Sequence, residues 1–256
     1  VALTFTRASS KYLRIASAAI TGAPLTMACW FYPTDFTNFQ ILMSINNSSS
    51  AFNNFRFDYR GDSGGNPVAA TAWDIGGASG GTSSAGASGA SAWYHAAAVY
   101  ASSTSRTAYF NGGNTGTDTA SRTPSGLNDT EIGSYRFGSG APEAFFDGYQ
   151  AEIAMWSAAL DAGEIAALAK GFSPLLIRPQ SLVYYIPGVS DILDRKGTTW
   201  TNNNSVGFTN HCRVIMPRRR IVGTFAGTSP PPPPPTYIGA RYQMIGAQQF
   251  SGGRAA

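Results

Sequence analysis

Leu25-Thr26-Met27-Ala28-Cys29-Trp30-Phe31-Tyr32 is nearly continuous in apolar side chains and is stopped by Pro33. A short run that is apolar on both parities suits a strand at the middle of a β-sandwich, covered on both faces. Upstream, Leu3 and Phe5, then Tyr12, Leu13 and Ile15, read as two short strands around a polar turn at 7–11. Downstream, 40–45 and 55–59 are further strands. The second puts Phe55, Phe57 and Tyr59 on one side and Arg56, Asp58 and Arg60 on the other.

Residues 75–92 are low in complexity, Gly, Ala, Ser and Thr with no charge at all. Strands resume on both sides, which favours a long loop or a Gly-rich hairpin inside one domain over a linker. Residues 92–100 and 106–112 form a strand pair, and Asn111-Gly112-Gly113 is a turn signal because Asn and Gly tolerate positive φ. A strand over 149–156 precedes one well-specified helix. Asp161 and Glu164 form a capping-box pattern, Ile165, Leu168 and Ala169 recur at helical spacing, and Gly171 stops it. A further strand follows at 182–186. The 256 residues, with 29 Gly, 15 Pro and only 12% charged side chains, suit one large all-β domain and exclude coiled coils and charged disordered chains.

Charge divides the chain. Residues 1–210 carry 12 Lys and Arg against 14 Asp and Glu, a net of −2, whereas 211–256 carry six Arg and no acid. Fifteen of the 18 basic residues are Arg, the side chain favoured where charge meets a partner surface. The terminal segment includes Pro217-Arg218-Arg219-Arg220 and six consecutive prolines at 230–235. Such a run adopts a stiff polyproline strut of roughly 19 Å. The domain organisation expected is therefore a sandwich over 1–210 and a basic, proline-rich arm over 211–256 that binds a partner chain. The arm residues expected to do so are Arg213, Arg218, Arg219, Arg220, Tyr237, Arg241 and Tyr242, through charge-assisted contacts and aromatic anchors. The opening residues alternate like a strand and 15–34 is broken by Gly and Pro, so neither a secretory signal nor a membrane span is expected. The chain reads as a complete product of a cytoplasm. Cys29 and Cys212 read as free thiols without metal-like spacing.

Several stretches together resemble the laminin-G-like, or concanavalin A-like, jelly-roll superfamily. They are Leu3-Thr4-Phe5 with Lys11-Tyr12-Leu13, then 26–33, then Trp93-Tyr94-His95-Ala96 through Tyr109-Phe110-Asn111-Gly112, then Phe146-Asp147-Gly148 through Leu160-Asp161-Ala162-Gly163-Glu164. The resemblance implies an antiparallel jelly-roll sandwich with one short helix. The stretch 171–179 followed by Leu182-Val183-Tyr184-Tyr185 resembles the end of this domain in tailed-bacteriophage virion proteins. That implies a capsid decoration or cement protein on the capsid exterior, with the major capsid protein and neighbouring copies of itself as partners.

Chemistry is sparse. A glycoside hydrolase on this fold needs paired carboxylates, about 5–5.5 Å apart for retention and farther for inversion. The strand read as comparable holds Glu152 with no acid at i+2 or i+4, so no enzyme is expected. His95 reads as structural, and His211 beside Cys212 lacks companions for a metal. Calcium is a family possibility, but Asp58, Asp62 and Asp74 lack ligand-loop spacing and read as solvent-facing, and Ala151 occupies the position of a family aspartate; no cofactor is expected. Arg60-Gly61-Asp62 reads as a chance tripeptide. The arginine triplet lacks interleaved aromatics and the body is net negative, so nucleic acid is not the expected partner. The competing expectation is a carbohydrate-binding adhesin on a tail or head fibre. Its polar contacts would come from Asn46-Asn47, Asn53-Asn54 or Asn202-Asn203-Asn204, residues that equally suit turns.

Overall fold

The computed structural model describes residues 2–50, 52–74, 80–83, 86, 88–189, 191–212 and 214. The chain divides into two units, Val1–Arg218 and Arg219–Ala256, and the second lies outside the described residues. In chain order the strands are β1 (Ala2–Phe5), β2 (Tyr12–Ile15), β3 (Leu25–Pro33), β4 (Phe39–Asn46), β5 (Asn54–Arg60), β6 (Val68–Trp73), β7 (Gly80–Ser83), β8 (Tyr94–Ser102) and β9 (Ser105–Phe110). They continue with β10 (Asn114–Asp118), β11 (Asp129–Ile132), β12 (Tyr135–Arg136), β13 (Pro142–Glu143) and β14 (Gly148–Trp156). Helix α1 (Ala162–Ala169) precedes β15 (Leu182–Ile186), β16 (Thr201–Asn203) and β17 (Gly207–Thr209).

Two antiparallel sheets pack face to face as the expected jelly roll. The larger runs β10-β9-β8-β3-β14-β1-β17, with β15 also on β14; the smaller runs β16-β2-β11-β4-β5-β6-β7. Strand β14 serves two neighbours along one edge, since β1 pairs with its first half and β15 with its second. Between those halves the register of β14 against β3 shifts, and Glu152 takes φ +52°. The strand expected over 149–156 is thus interrupted by a bulge, which turns the Glu152 side chain out of sequence. Strand β7 pairs antiparallel with β6, so part of the Gly-rich stretch belongs to the sheet. Strands β16 and β17, which the sequence did not announce, add to β2 and β1.

Alternation decides the core. Leu25, Met27, Cys29 and Phe31 of β3 and Phe55, Phe57 and Tyr59 of β5 face one another and are buried. Phe31 is the hub, with its ring against Tyr59, Tyr94, Phe110 and Phe146. Each such ring contributes about 1.5–3 kcal/mol by leaving water. The other face of β3 is covered too, as expected of a run apolar on both parities. Ala28, with Ala97, Ala154 and Trp156, lies in a second apolar cluster with Ile165 and Leu168 of α1. The capping box of α1 is formed at both ends, Asp161 accepting from the Glu164 amide and Glu164 from the Asp161 amide. Gly112, at φ +77°, turns β9 into β10 directly beneath this helix; a Cβ there would lie 2.7 Å from the Ala169 Cβ. The turn residue is therefore also a packing residue.

One expectation fails. Arg56 and Asp58 alternate outward from β5 as read, but they are not solvated: they are 6% and 1% exposed. Rings of Phe39, Trp73 and Tyr135 surround the Arg56 guanidinium at 5.4, 4.7 and 4.8 Å. The outward side of the smaller sheet is roofed.

Candidate functional site

That roofed side is a two-row ladder of polar residues crossing five strands. In the first row Arg14 on β2 pairs with Glu131 on β11, Glu131 with Ser44 on β4, Ser44 with Arg56 on β5, and Arg56 with Thr71 on β6. In the second, Asp129 pairs with Asn46, Asn46 with Asn54, and Asn54 with Trp73. Neighbouring strands lie about 4.8 Å apart, so each row presents a polar group at that interval. Asp129, Glu131, Ser44 and Asn46 are fully buried.

Charges on this face are paired locally. Arg14 Nε donates to Asp129 Oδ2 at 2.6 Å, and Arg136 Nη2 lies 3.1 Å from Glu131 Oε1. Ser134 donates to the other oxygen of Glu131 at 2.7 Å, and Thr71 donates to Asp58 at 2.6 Å. Burial raises the Asp58 carboxyl above its ordinary range, against the pull of Arg56 and the Thr71 hydrogen bond. Burial likewise lifts Glu131 to about 7, with Ser134 opposing and the Asp129 charge assisting.

The pairing is incomplete. Asn46 Oδ1, Asn54 Oδ1 and Asp129 Oδ1 are buried acceptors without a hydrogen-bond partner among the described residues, and Trp73 Nε1, Arg56 Nε and Arg136 Nε are donors in the same state. Each such atom costs about 1–3 kcal/mol when left unsatisfied. Three acceptors and one donor fall in a single row, Asp129–Asn46–Asn54–Trp73. Above it Phe52 stacks on Trp73 at 5.4 Å, and Phe137, 37% exposed, closes edge-on against both.

The sequence expectations resolve unevenly. Asn46 and Asn54 enter the row. Asn53 instead accepts from the Ser125 amide, and Asn202 and Asn204 brace turns through Val206 and Ser10. Glu152 is not the lone acid on a sheet face: Asp129 and Glu131 form an i, i+2 pair that the reading of 152–156 passed over. The alternation Asp129-Thr130-Glu131 was the available signal. Glu152 itself is buried, accepting from the Tyr185 hydroxyl at 2.7 Å and facing His211 Nε2 at 3.3 Å. The space beside it, between Trp30, His95 and Phe172, is too tight for a water molecule. His95 is buried, and desolvation pushes its pKa down to about 3. Cys29 is buried and Cys212 half-buried, both free thiols. Asp58 is no solvent-facing acid. Asp62 is held by its own neighbour, Arg60, at 2.8 and 3.0 Å, which folds the Arg-Gly-Asp tripeptide onto itself. Asp74 accepts from the Thr123 amide at 3.1 Å. Among the described residues no three His, Cys, Asp or Glu side chains are grouped to hold a metal, and no helix is long and apolar enough to cross a membrane. Arg213, Arg218, Arg219, Arg220, Tyr237, Arg241 and Tyr242 all lie outside the described residues.

Solved structures share the architecture. A heptameric SAP-like pentraxin from Limulus polyphemus superposes with a TM-score of 0.59 at 15% identity, over 83% of this chain and 97% of that one. A Bacteroides ovatus protein given as a candidate carbohydrate-binding protein superposes at 0.56 and 17% identity, over 82% of this chain and 59% of that one. At these identities the likeness is one of fold. No curated protein matches the sequence. The family description "Concanavalin A-like lectin/glucanases superfamily", a laminin G type, matches residues 7–166, more than half of the sequence, and the chain belongs to that superfamily.

Proposed function

We propose that this chain is a non-catalytic glycan-binding module that takes its ligand on the outward face of the smaller sheet. The observation carrying the reading is the row of unpartnered polar atoms, Asp129, Asn46, Asn54 and Trp73, beneath aromatic rings. A saccharide brings hydroxyls that both donate and accept, together with apolar ring faces that settle on aromatics. Phe137 is the outermost ring and the one the ligand displaces. Catalysis is not part of the proposal, because both carboxylates of β11 are committed to arginines rather than held free as an acid and a base. The superfamily includes lectins, and this reading places the chain with them.

The test is a glycan array probed with the full chain, followed by calorimetry on any hit. Asn54→Ala and Trp73→Ala are expected to weaken binding at least about tenfold, the equivalent of about 1.4 kcal/mol, while Asn202→Ala leaves it unchanged. A folded chain that binds no glycan, or variants that bind as well as the parent, overturns the reading.

The sequence of 211–256 supports a second reading, attachment to a virion as a capsid decoration protein. Six arginines without an acid, and the six prolines, suit an arm on an acidic shell. Truncation after Val214 should then abolish attachment to purified capsids, and undiminished attachment would remove this reading.

A further inference from the structure

The outward face of the larger sheet carries a separate feature outside the cluster beneath α1. Tyr149 on β14 pairs with Tyr32 on β3, and Trp93 lies just ahead of β8; Trp30 stands two residues along β3 on the same side. All four rings are half-buried. Tyr32 and Tyr149 lie 5.2 Å apart at 35°, and Tyr32 and Trp93 lie 5.8 Å apart at 66°. At these separations the rings pack against one another at an angle, so together they make a stepped apolar ridge rather than a flat plate. Their polar tips are two phenol O–H and two indole N–H groups, and none makes a hydrogen bond among the described residues. Nor does a cation lie over any of them among those residues.

A ligand matching this surface has an apolar outline that follows the steps, carbonyls free to accept, and no N–H of its own to satisfy. A pyranose asks for a flatter plate and for amide or carboxylate partners. A polyproline II strand has the required character, because its carbonyls are solvated, its prolines lack N–H groups, and it packs into aromatic-lined grooves. One turn of it rises about 9 Å, comparable with two ring-to-ring steps of the ridge. The sequence of this chain contains such a segment, six prolines at 230–235. We propose that the Tyr149–Tyr32–Trp93 ridge with Trp30 is a docking surface for polyproline, its occupant the 230–235 run of a second copy of this chain. Surface and ligand on one chain make the contact heterologous, so copies add head to tail. The proposal is independent of the glycan face.

Sedimentation velocity of the full chain against concentration tests it. The parent associates; Tyr32→Ala and Trp93→Ala each weaken association at least about tenfold, with unfolding midpoints showing that both variants are folded. A variant combining Pro231→Gly, Pro232→Ser, Pro233→Gly and Pro234→Ser stays monomeric, yet its tryptophan emission shifts on adding a synthetic peptide of residues 228–237. Adding Trp93→Ala to that variant abolishes the shift. A parent that is monomeric at every concentration overturns the proposal, as does a peptide without effect on the proline-free variant. Should soluble oligosaccharides move the emission where the peptide does not, the ridge is a saccharide surface and the proposal is wrong.

Discussion

On the larger sheet, the outward side of β3, β8 and β14 carries Ala28, Ala97, Val99, Ala154 and Trp156, and α1 lies over it. On the smaller sheet, the outward side of β4, β5 and β11 carries Asn46, Arg56, Asp58, Asp129 and Glu131, roofed by Phe39, Trp73 and Tyr135. Both are removed from water. Under α1 the closure is apolar against apolar, and the Trp156 indole donates to the Ile177 carbonyl at 2.8 Å. Beneath the aromatic roof, ion pairs satisfy some groups and leave a row of others unpartnered. The first face serves stability, while the second retains hydrogen-bonding capacity at a cost in stability. A fold with two outward faces can divide labour in this way.

The contrast can be broken most directly at Trp156, which is fully buried. Trp156→Ala should cost about 4 kcal/mol in urea unfolding, the usual toll of a large cavity. A smaller loss than that from any polar-face variant would invert the comparison. Next comes Arg56→Ala, which strands the buried Asp58 carboxylate and should cost about 3 kcal/mol. Replacing both partners, as Arg56→Met with Asp58→Leu, should recover most of that stability. A double variant no more stable than Arg56→Ala would mean that the loss comes from packing and not from the stranded charge.

Titration sharpens the comparison, because the two faces respond to acid with opposite sign. Glu131 is held at about 7 against an ordinary 4.5, so between those values the folded chain keeps a proton that the unfolded chain has released. Its contribution is complete below pH 4.5 and is lost as pH rises through 7. His95 is held at about 3 against 6.5, so below 6.5 the unfolded chain takes a proton that the folded chain refuses. Its contribution is present above pH 6.5 and is lost as pH falls. Between pH 6.5 and 4.5, Glu131→Gln should therefore steepen the loss of stability on acidification and His95→Gln should flatten it. Each effect is at most about 1.4 kcal/mol per pH unit, read from urea midpoints across that range. Parallel shifts in the two variants would refute the opposition. The smallest effect belongs to the lid of the apolar face: Asp161→Ala removes the α1 cap and should cost about 1 kcal/mol. No change in midpoint would show that packing alone holds that helix.

Much of the architecture was legible because local chemistry repeats at short range. The central position of β3, the alternation of β5, the strand at 182–186 and the capping box of α1 all follow from residues within a few positions of one another. The site was legible only in fragments. Asn46 and Asn54 stood out as polar residues, but Asp129 and Glu131 did not, because they join them only through strand pairing across more than 80 residues. Arg56 and Asp58 were placed on the correct face, and Asp58 was given the wrong environment.

The sequence by itself determined which side chains face the core, since a strand sends successive residues to opposite sides whatever surrounds it. It also determined the charge division of the chain and the helix with its caps. What covers an outward face was decided only by the tertiary structure. Period-two alternation separates inside from outside but carries no record of the distant loops, hairpin and aromatic rings that come to lie over the outside. Here that covering turned one row of ordinary surface polar groups into buried, partly unsatisfied ones.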